Sequence, residues 1–199
     1  MIKSEKSFLI PFITIWIMGL VMWAITDKVE MHLVLNNFHT PVLDVFFKYF
    51  TEVGGWVPFI IAGLLLLMKK WKISVIILLG QLVATLFVTP LKHLIRAPRP
   101  SIVLGGLNID FPVIEGVKLH STLSFPSGHT AAVFSFCFAI ALFCPKPWQK
   151  ILCFFIAILG GYSRIYLSQH FLEDVLAGSL IGVTSILILI PIVTKFKKI

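Results

Sequence analysis

His170 and Asp174 stand four residues apart in the stretch SRIYLSQHFLED (163–174). That spacing puts both side chains on one face of a helical turn. A carboxylate bonded to one imidazole nitrogen fixes the tautomer and leaves the other nitrogen free to attack. It also stabilises the cation formed when that nitrogen takes a phosphoryl group. His129, in PSGH (126–129), could protonate a leaving alkoxide. Lys92 and Arg99, in KHLIRAPRP (92–100), and Arg164 supply three cations, a complement for a phosphate dianion or pyrophosphate. The PSGH segment reads as a helix start, with Ser127 as the cap and Gly128 allowing close backbone approach. Unpaired N–H groups at a helix start bind anions, and the Ser127 hydroxyl is a further donor.

These polar residues interrupt a chain that is 58% hydrophobic and 13% charged, with a mean hydropathy of +0.97. Such a composition, with repeated apolar runs near spanning length, indicates an all-α integral membrane protein. Six spans are predicted, over 8–25, 53–68, 73–91, 129–144, 151–167 and 175–193. The second is the weakest and must borrow TEVGG (51–55) to reach spanning length. No internal repeat or linker divides the chain, so residues 1–199 are read as one six-helix domain. The first run is longer than a signal-peptide core and lacks a small-residue cleavage site, so it is read as a retained helix.

Lysines set the orientation. One side receives Lys3, Lys6, Lys69, Lys70, Lys72, Lys146, Lys150, Lys195, Lys197 and Lys198, with Glu5 its one acid. Both termini are therefore expected in the cytoplasm. The net charge of +8 reads as this bias plus attraction to anionic lipid, not as nucleic-acid binding. Cys137, Cys144 and Cys153 lack metal-type spacing and read as small apolar residues.

Following the chain through six spans brings the chemistry together. Lys92 and Arg99 follow the third span, His129 opens the fourth, Arg164 and His170 close the fifth, and Asp174 opens the sixth. All six fall at one outward-facing end of the bundle. Two connections exceed turn length. One holds PVLDVFFKYF (41–50), whose Val42, Val45, Phe46, Tyr49 and Phe50 recur at helical spacing, as in a helix lying in the membrane interface. The other, 92–128, includes SIVLGGLNIDFPVIEG (101–116), apolar enough to touch lipid. His32, His39, His93 and His120 join no spaced motif and read as loop or interface residues, and Glu173 is expected to face away from the nucleophile. A two-histidine, one-carboxylate metal site is disfavoured by three adjacent cations. Proton conduction is disfavoured because no charge lies near mid-membrane.

In order and placement, K-x6-R-P at 92–100, P-S-G-H at 126–129 and S-R-x5-H-x3-D at 163–174 resemble the signature of the type 2 phosphatidic acid phosphatase (PAP2) superfamily, in its integral membrane branch. The resemblance covers roughly residues 51–190. It implies a six-helix bundle and a phosphatase that uses no metal or other cofactor and passes through a phosphohistidine. On this resemblance His170 is the nucleophile, Asp174 its orienting partner, and His129 the acid and later the base. Lys92, Arg99, Ser127, Gly128 and Arg164 form the phosphate cradle, and vanadate is an expected inhibitor. The expected partners are a lipid phosphate substrate and the surrounding membrane lipids. A glycerophospholipid phosphate such as phosphatidylglycerophosphate is the leading substrate class. Undecaprenyl diphosphate and transfer to a second lipid are the alternatives. Oligomeric state is left open.

Overall fold

The computed structural model describes residues 5–198, which form nine α-helices and one 3-10 turn and contain no β-strand. Six of the helices stand where spans are predicted: α1 (Lys6–Ile25), α4 (Val57–Leu67), α5 (Trp71–Ile95), α7 (Gly128–Phe143), α8 (Pro147–Tyr166) and α9 (Leu172–Lys198). Three shorter helices lie in the connections: α2 (Lys28–Leu35), α3 (Pro41–Phe50) and α6 (Pro100–Gly106). Segments Lys6–Ile25, Trp71–Gly106 and Leu172–Thr194 are long and apolar enough to cross a membrane. α7 is apolar but only 16 residues long, as suits a helix whose first turn belongs to the site.

The weak second span has a structural cause. Pro41–Gly54 and Val57–Leu67 form a pair bent by 57°, with the 3-10 turn Thr51–Gly54 at the corner. TEVGG therefore joins the two helices as a sharp corner and not as a straight helical extension. A Cβ on Gly54 would stand 2.3 Å from the His129 carbonyl oxygen, so only glycine lets this corner meet the start of α7.

α7 is the central helix, in contact with α5, α8 and α9. Its Ala131, Val133, Phe134, Phe138 and Leu142 are buried, and Phe8 of α1 stacks on Phe138 with centroids 4.7 Å apart. A Cβ on Gly178 would stand 2.5 Å from the Ser127 carbonyl oxygen, so glycine also brings α9 onto the first turn of α7. α3 lies as the spacing predicts, with Val42, Val45, Phe46 and Tyr49 exposed and Phe47 buried. Its Asp44 accepts from Tyr166 Oη of α8 at 2.5 Å and pairs with His39 at 2.8 Å. Trp56, Trp71 and Trp148 open α4, α5 and α8 and are about half exposed, as indoles at a membrane rim are.

At the end opposite His170, two residues that the charge count assigns to the same side meet. Lys150 Nζ lies 2.8 Å from Glu5 Oε2, with both residues buried. Two desolvated charges are tolerated only as a pair. Lys3 lies outside the described residues, as do the side chains of Lys195, Lys197 and Lys198. Replacing Lys150 with Met removes the cation paired with Glu5, and up to about 3–5 kcal/mol of stability should be lost. The double variant with Glu5→Met should recover most of it, as read by thermal unfolding in detergent.

Candidate active site

The site is built where α5, α7, α8 and α9 meet. α5 ends at Arg96, whose left-handed backbone (φ 49°) closes the helix with an N–H bond to the Lys92 carbonyl. The chain then extends to Arg99, the residue preceding α6. α8 ends at Tyr166, and residues 167–171 wrap tightly over it, with the Gln169 and His170 amides donating to the Arg164 carbonyl at 2.9 and 3.2 Å. That wrap holds His170 against the first turn of α9.

His170 is 2% exposed, and its two ring nitrogens face opposite partners. Nδ1 lies 3.3 Å from Asp174 Oδ2, while Nε2 lies 3.4 Å from Arg99 Nη1. A guanidinium can only donate, and an ionised carboxylate can only accept. Together they assign the proton to Nδ1 and the lone pair to Nε2. Burial, and then the cations Arg164, Arg99 and Lys92, hold His170 well below the ordinary imidazole value. The ring is therefore neutral near pH 7, with a nucleophilic nitrogen facing the cations.

Each cation is tied by polar groups of the protein. Lys92 Nζ donates to the carbonyls of Leu123 and, at 3.4 Å, of Ser124. Arg99 donates from Nε to Thr122 O at 3.0 Å and from Nη1 to the backbone and side-chain oxygens of Gln169, both at 3.1 Å. Arg164 donates from Nη1 to Thr51 Oγ1 at 2.7 Å. Its Nε is buried with no partner among the described residues. An ammonium has three donors and a guanidinium five, so every cation keeps donors for an anion.

Ser127 caps α7 by accepting from the backbone and side chain of Thr130 at 3.3 and 2.8 Å, which leaves its own hydroxyl proton to donate. Its backbone N–H donates to the Asp174 carbonyl at 3.0 Å, joining the first turns of α7 and α9. A Cβ on Gly128 would stand 3.7 Å from Val88 and 3.9 Å from the Lys92 stem, at ordinary contact distance. His129, next in the same turn, shares a cavity of about 470 Å³ with Arg164, Lys48, Glu52, Lys118 and His120. Tyr49 and Trp56, 68% and 56% exposed, stand at its rim.

All eight residues picked from the sequence thus gather at one end of the bundle. His170, Asp174 and Arg99 are in mutual reach, Ser127 is joined to Asp174 through the backbone, and His129 and Arg164 line one cavity. Lys92 and Gly128 line a separate groove between α5 and α7. Arg96 stays outside, exposed, with its Nε bonded to His93 O.

Several members were not singled out from the sequence. Ser124 donates to Asp174 Oδ2 at 2.5 Å, and its position just before PSGH was the available signal. Thr51 and Gly54 come from TEVGG, whose polar start was legible only as a break in a span. His32 is not a loop residue. It is 1% exposed, edge-on to Phe171 with centroids 5.3 Å apart, and burial pushes it down to about 4. Asn36 donates to the Ile165 and Tyr166 carbonyls at 2.9 and 2.8 Å, bracing the end of α8. Lys28, His32 and Asn36 share the face of α2 that supports the His170 loop. Glu173 lines a cavity of about 210 Å³ behind Asp174, beside Lys28 and Phe171.

Comparison with known proteins meets this geometry. Residues 70–198 match the family model of the PAP2 superfamily, a range that holds all three motifs. The lipid A 4'-phosphatase of Bacteroides thetaiotaomicron is 30% identical, over 77% of this chain and 71% of that protein. The crystal structure of Aquifex aeolicus LpxE superposes with a TM-score of 0.72 at 33% identity, covering 82% of this chain and 94% of that one. The PAP2-type phosphatidylglycerolphosphate phosphatase from Bacillus subtilis superposes with a TM-score of 0.65 at 25% identity, over 98% of both chains.

The Thr51 anchor gives a direct test. Thr51→Val removes the acceptor of Arg164 Nη1 without changing side-chain shape, and a hydrogen bond to a charged group contributes about 1.5–3 kcal/mol. Affinity for orthovanadate, an anion of phosphate-like shape, should fall about tenfold or more by titration calorimetry.

Proposed function

The chain belongs to the PAP2 superfamily and is a membrane lipid phosphatase, and we propose that it removes the terminal phosphate of a lipid through a phosphohistidine on His170. The observation that carries this reading is the tautomer of His170, fixed from one side by Asp174 and from the other by Arg99. In the first step the Nε2 lone pair attacks phosphorus, the ester P–O bond breaks, and His129 gives the leaving oxygen its proton. Asp174 stabilises the positive charge on the phosphorylated ring. In the second step His129 takes a proton from water, the hydroxide attacks phosphorus, and the P–N bond breaks to return neutral His170. Lys92, Arg99, Arg164, the Ser127 hydroxyl and the amides at the start of α7 counter the charge on the phosphoryl oxygens throughout. The residues supply both the nucleophile and the electrostatic clamp, so no step requires a metal.

The lysine distribution supports termini in the cytoplasm and a site facing outward, where a lipid in the outer leaflet reaches it beside α3. A glycerophospholipid phosphate such as phosphatidylglycerophosphate is the first substrate reading, supported by the likeness to the Bacillus subtilis enzyme over nearly the whole chain. A phosphorylated saccharolipid is the second, and the vestibule favours it. Its volume of about 470 Å³ exceeds the need of a phosphate alone, and its lining offers Glu52 as an acceptor, Lys118 and His120 as polar partners, and an aromatic rim. The Bacteroides relative is named for such a lipid.

Phosphate release from purified protein in detergent should persist in EDTA. It should fall about 100-fold or more in His129→Ala and to background in His170→Ala. Reversible loss in chelator would overturn the phosphohistidine mechanism. Running phosphatidylglycerophosphate, a diphosphoryl saccharolipid and undecaprenyl diphosphate side by side ranks the substrates. Label appearing in a second lipid instead of free phosphate would identify a transferase.

A further inference from the structure

One oxygen in the site is asked to do three things. Asp174 Oδ2 accepts from Ser124 Oγ at 2.5 Å, from the Phe171 amide at 2.9 Å and from His170 Nδ1 at 3.3 Å. The serine contact has the length of a strong charge-assisted bond, and the histidine contact is longer than an ordinary N–H···O bond. In the resting site the serine therefore holds the larger share of the carboxylate. Ser124 has a single proton, and it is committed to Asp174. Towards His170 Nδ1, 3.4 Å away, it can only offer a lone pair. Nδ1 thus faces both Asp174 Oδ2 and Ser124 Oγ, each at a distance beyond an ordinary N–H···O bond.

Ser124 is itself rigidly placed. It is fully buried, its amide donates to Ala97 O at 3.0 Å, and its carbonyl accepts from Lys92. Leu123 before it adopts a left-handed backbone, φ 59°. A hydroxyl with that anchoring is built to a position.

We infer that Ser124 is a positioning residue that limits how strongly Asp174 stabilises the phosphorylated form of His170, and so sets the balance between forming and hydrolysing the phosphohistidine. The inference rests on the phosphohistidine reading above. When Nε2 bonds to phosphorus, the ring becomes cationic and Nδ1–H becomes a stronger donor to Oδ2. A competing hydroxyl on the same oxygen weakens that bond, which keeps the P–N bond labile enough for water to break. Without the hydroxyl, Asp174 turns more of its charge to His170. The imidazolium is then favoured, and so is the phosphorylated ring. The other charged or titratable groups around the ring are Lys92 from α5, Arg99 before α6, His129 from α7 and Arg164 from α8. His32 of α2 lies within electrostatic reach of Asp174. None of these is altered by changing Ser124.

The test uses the full chain in detergent and a lipid substrate radiolabelled in its terminal phosphate, quenched in alkaline detergent so that phosphohistidine survives. In Ser124→Ala the steady-state fraction of labelled enzyme should rise about threefold or more. The acid limb of kcat/KM should move up by about half to one pH unit, a fraction of the shift that a full charge partner produces. Ser124→Cys, similar in size and a weaker donor, should fall between the two and guards against misfolding of the alanine variant. A purely structural role would lower kcat and leave both the label fraction and the limb where they are; that result, or a limb moved to lower pH, overturns the inference. Turnover and label in the wild type with no change in either variant would sink this inference alone. A wild type that neither turns over nor takes label would sink the phosphohistidine reading with it.

Discussion

Three like charges held around one buried imidazole are the constraint from which the rest of this structure follows. Lys92, Arg99 and Arg164 repel one another, and burial strips the water that would screen them. Among the described residues Asp174 is the one carboxylate in contact with His170, and it is committed to His170, Ser124 and Phe171. The cations are therefore steadied by uncharged oxygens: carbonyls of Thr122, Leu123, Ser124 and Gln169, the Gln169 amide and the Thr51 hydroxyl. Dipoles offset part of the repulsion without neutralising any cation. The cluster stays electropositive, and a phosphate completes it.

That solution dictates the long connections. Carbonyls of 122–124 can reach Lys92 and Arg99 only if the loop after α6 is folded back over the site. It is fastened there by Gln169 to Lys118 O at 3.1 Å, Ser101 to His120 O at 3.0 Å and Lys48 to Glu115 O at 2.7 Å. Thr51 can reach Arg164 only if the chain corners sharply between α3 and α4, which requires Gly54 against the α7 backbone. α3 must then lie flat across the end of the bundle, fixed to α8 through Asp44 and Tyr166. The interfacial helix and the looped lid are consequences of holding the cations.

This explains which parts were legible in the sequence. Six apolar runs and the three motifs are local patterns, so the helices and the placement of His170, Asp174, Arg99, Arg164 and His129 at one end followed from periodicity and topology. Ser124, Thr51, Gln169 and Asn36 act through one or a few hydrogen bonds to residues 50 to 130 positions away. A lone Ser or Thr beside an apolar run carries no spacing signal, and its partner is set only by tertiary packing. His32 illustrates the same limit: without knowing that α2 lies on the nucleophile loop, a solitary histidine before that loop has no assignable role. TEVGG was legible as the weak part of the second span, but its corner was not, because a close backbone contact with His129 sets it. The pairing of Lys150 with Glu5 was not legible because a lysine near a predicted helix end ordinarily reaches water, and here Glu5 lies within its reach.

The division of labour in the chain follows from the same geometry. The ends of α5, α7, α8 and α9, with Arg99 and Ser124 from the loops beside them, supply the groups proposed to meet the phosphate and the nucleophile. α2, α3, the Thr51–Gly54 corner and the loop over the site support that machinery and form most of the vestibule wall. The first set must satisfy one transition state whatever lipid carries the phosphate, because charge on three phosphoryl oxygens is the same problem for every substrate. The second set meets what lies beyond the scissile bond. Among the described residues, Lys48, Glu52, Lys118, Tyr49 and Trp56 line the vestibule without a hydrogen bond to His170 or Asp174. They can change with less disturbance to the nucleophile than any motif residue. Substrate choice in such a protein is therefore read from the corner and the lid, and the chemistry from the helix ends beneath them.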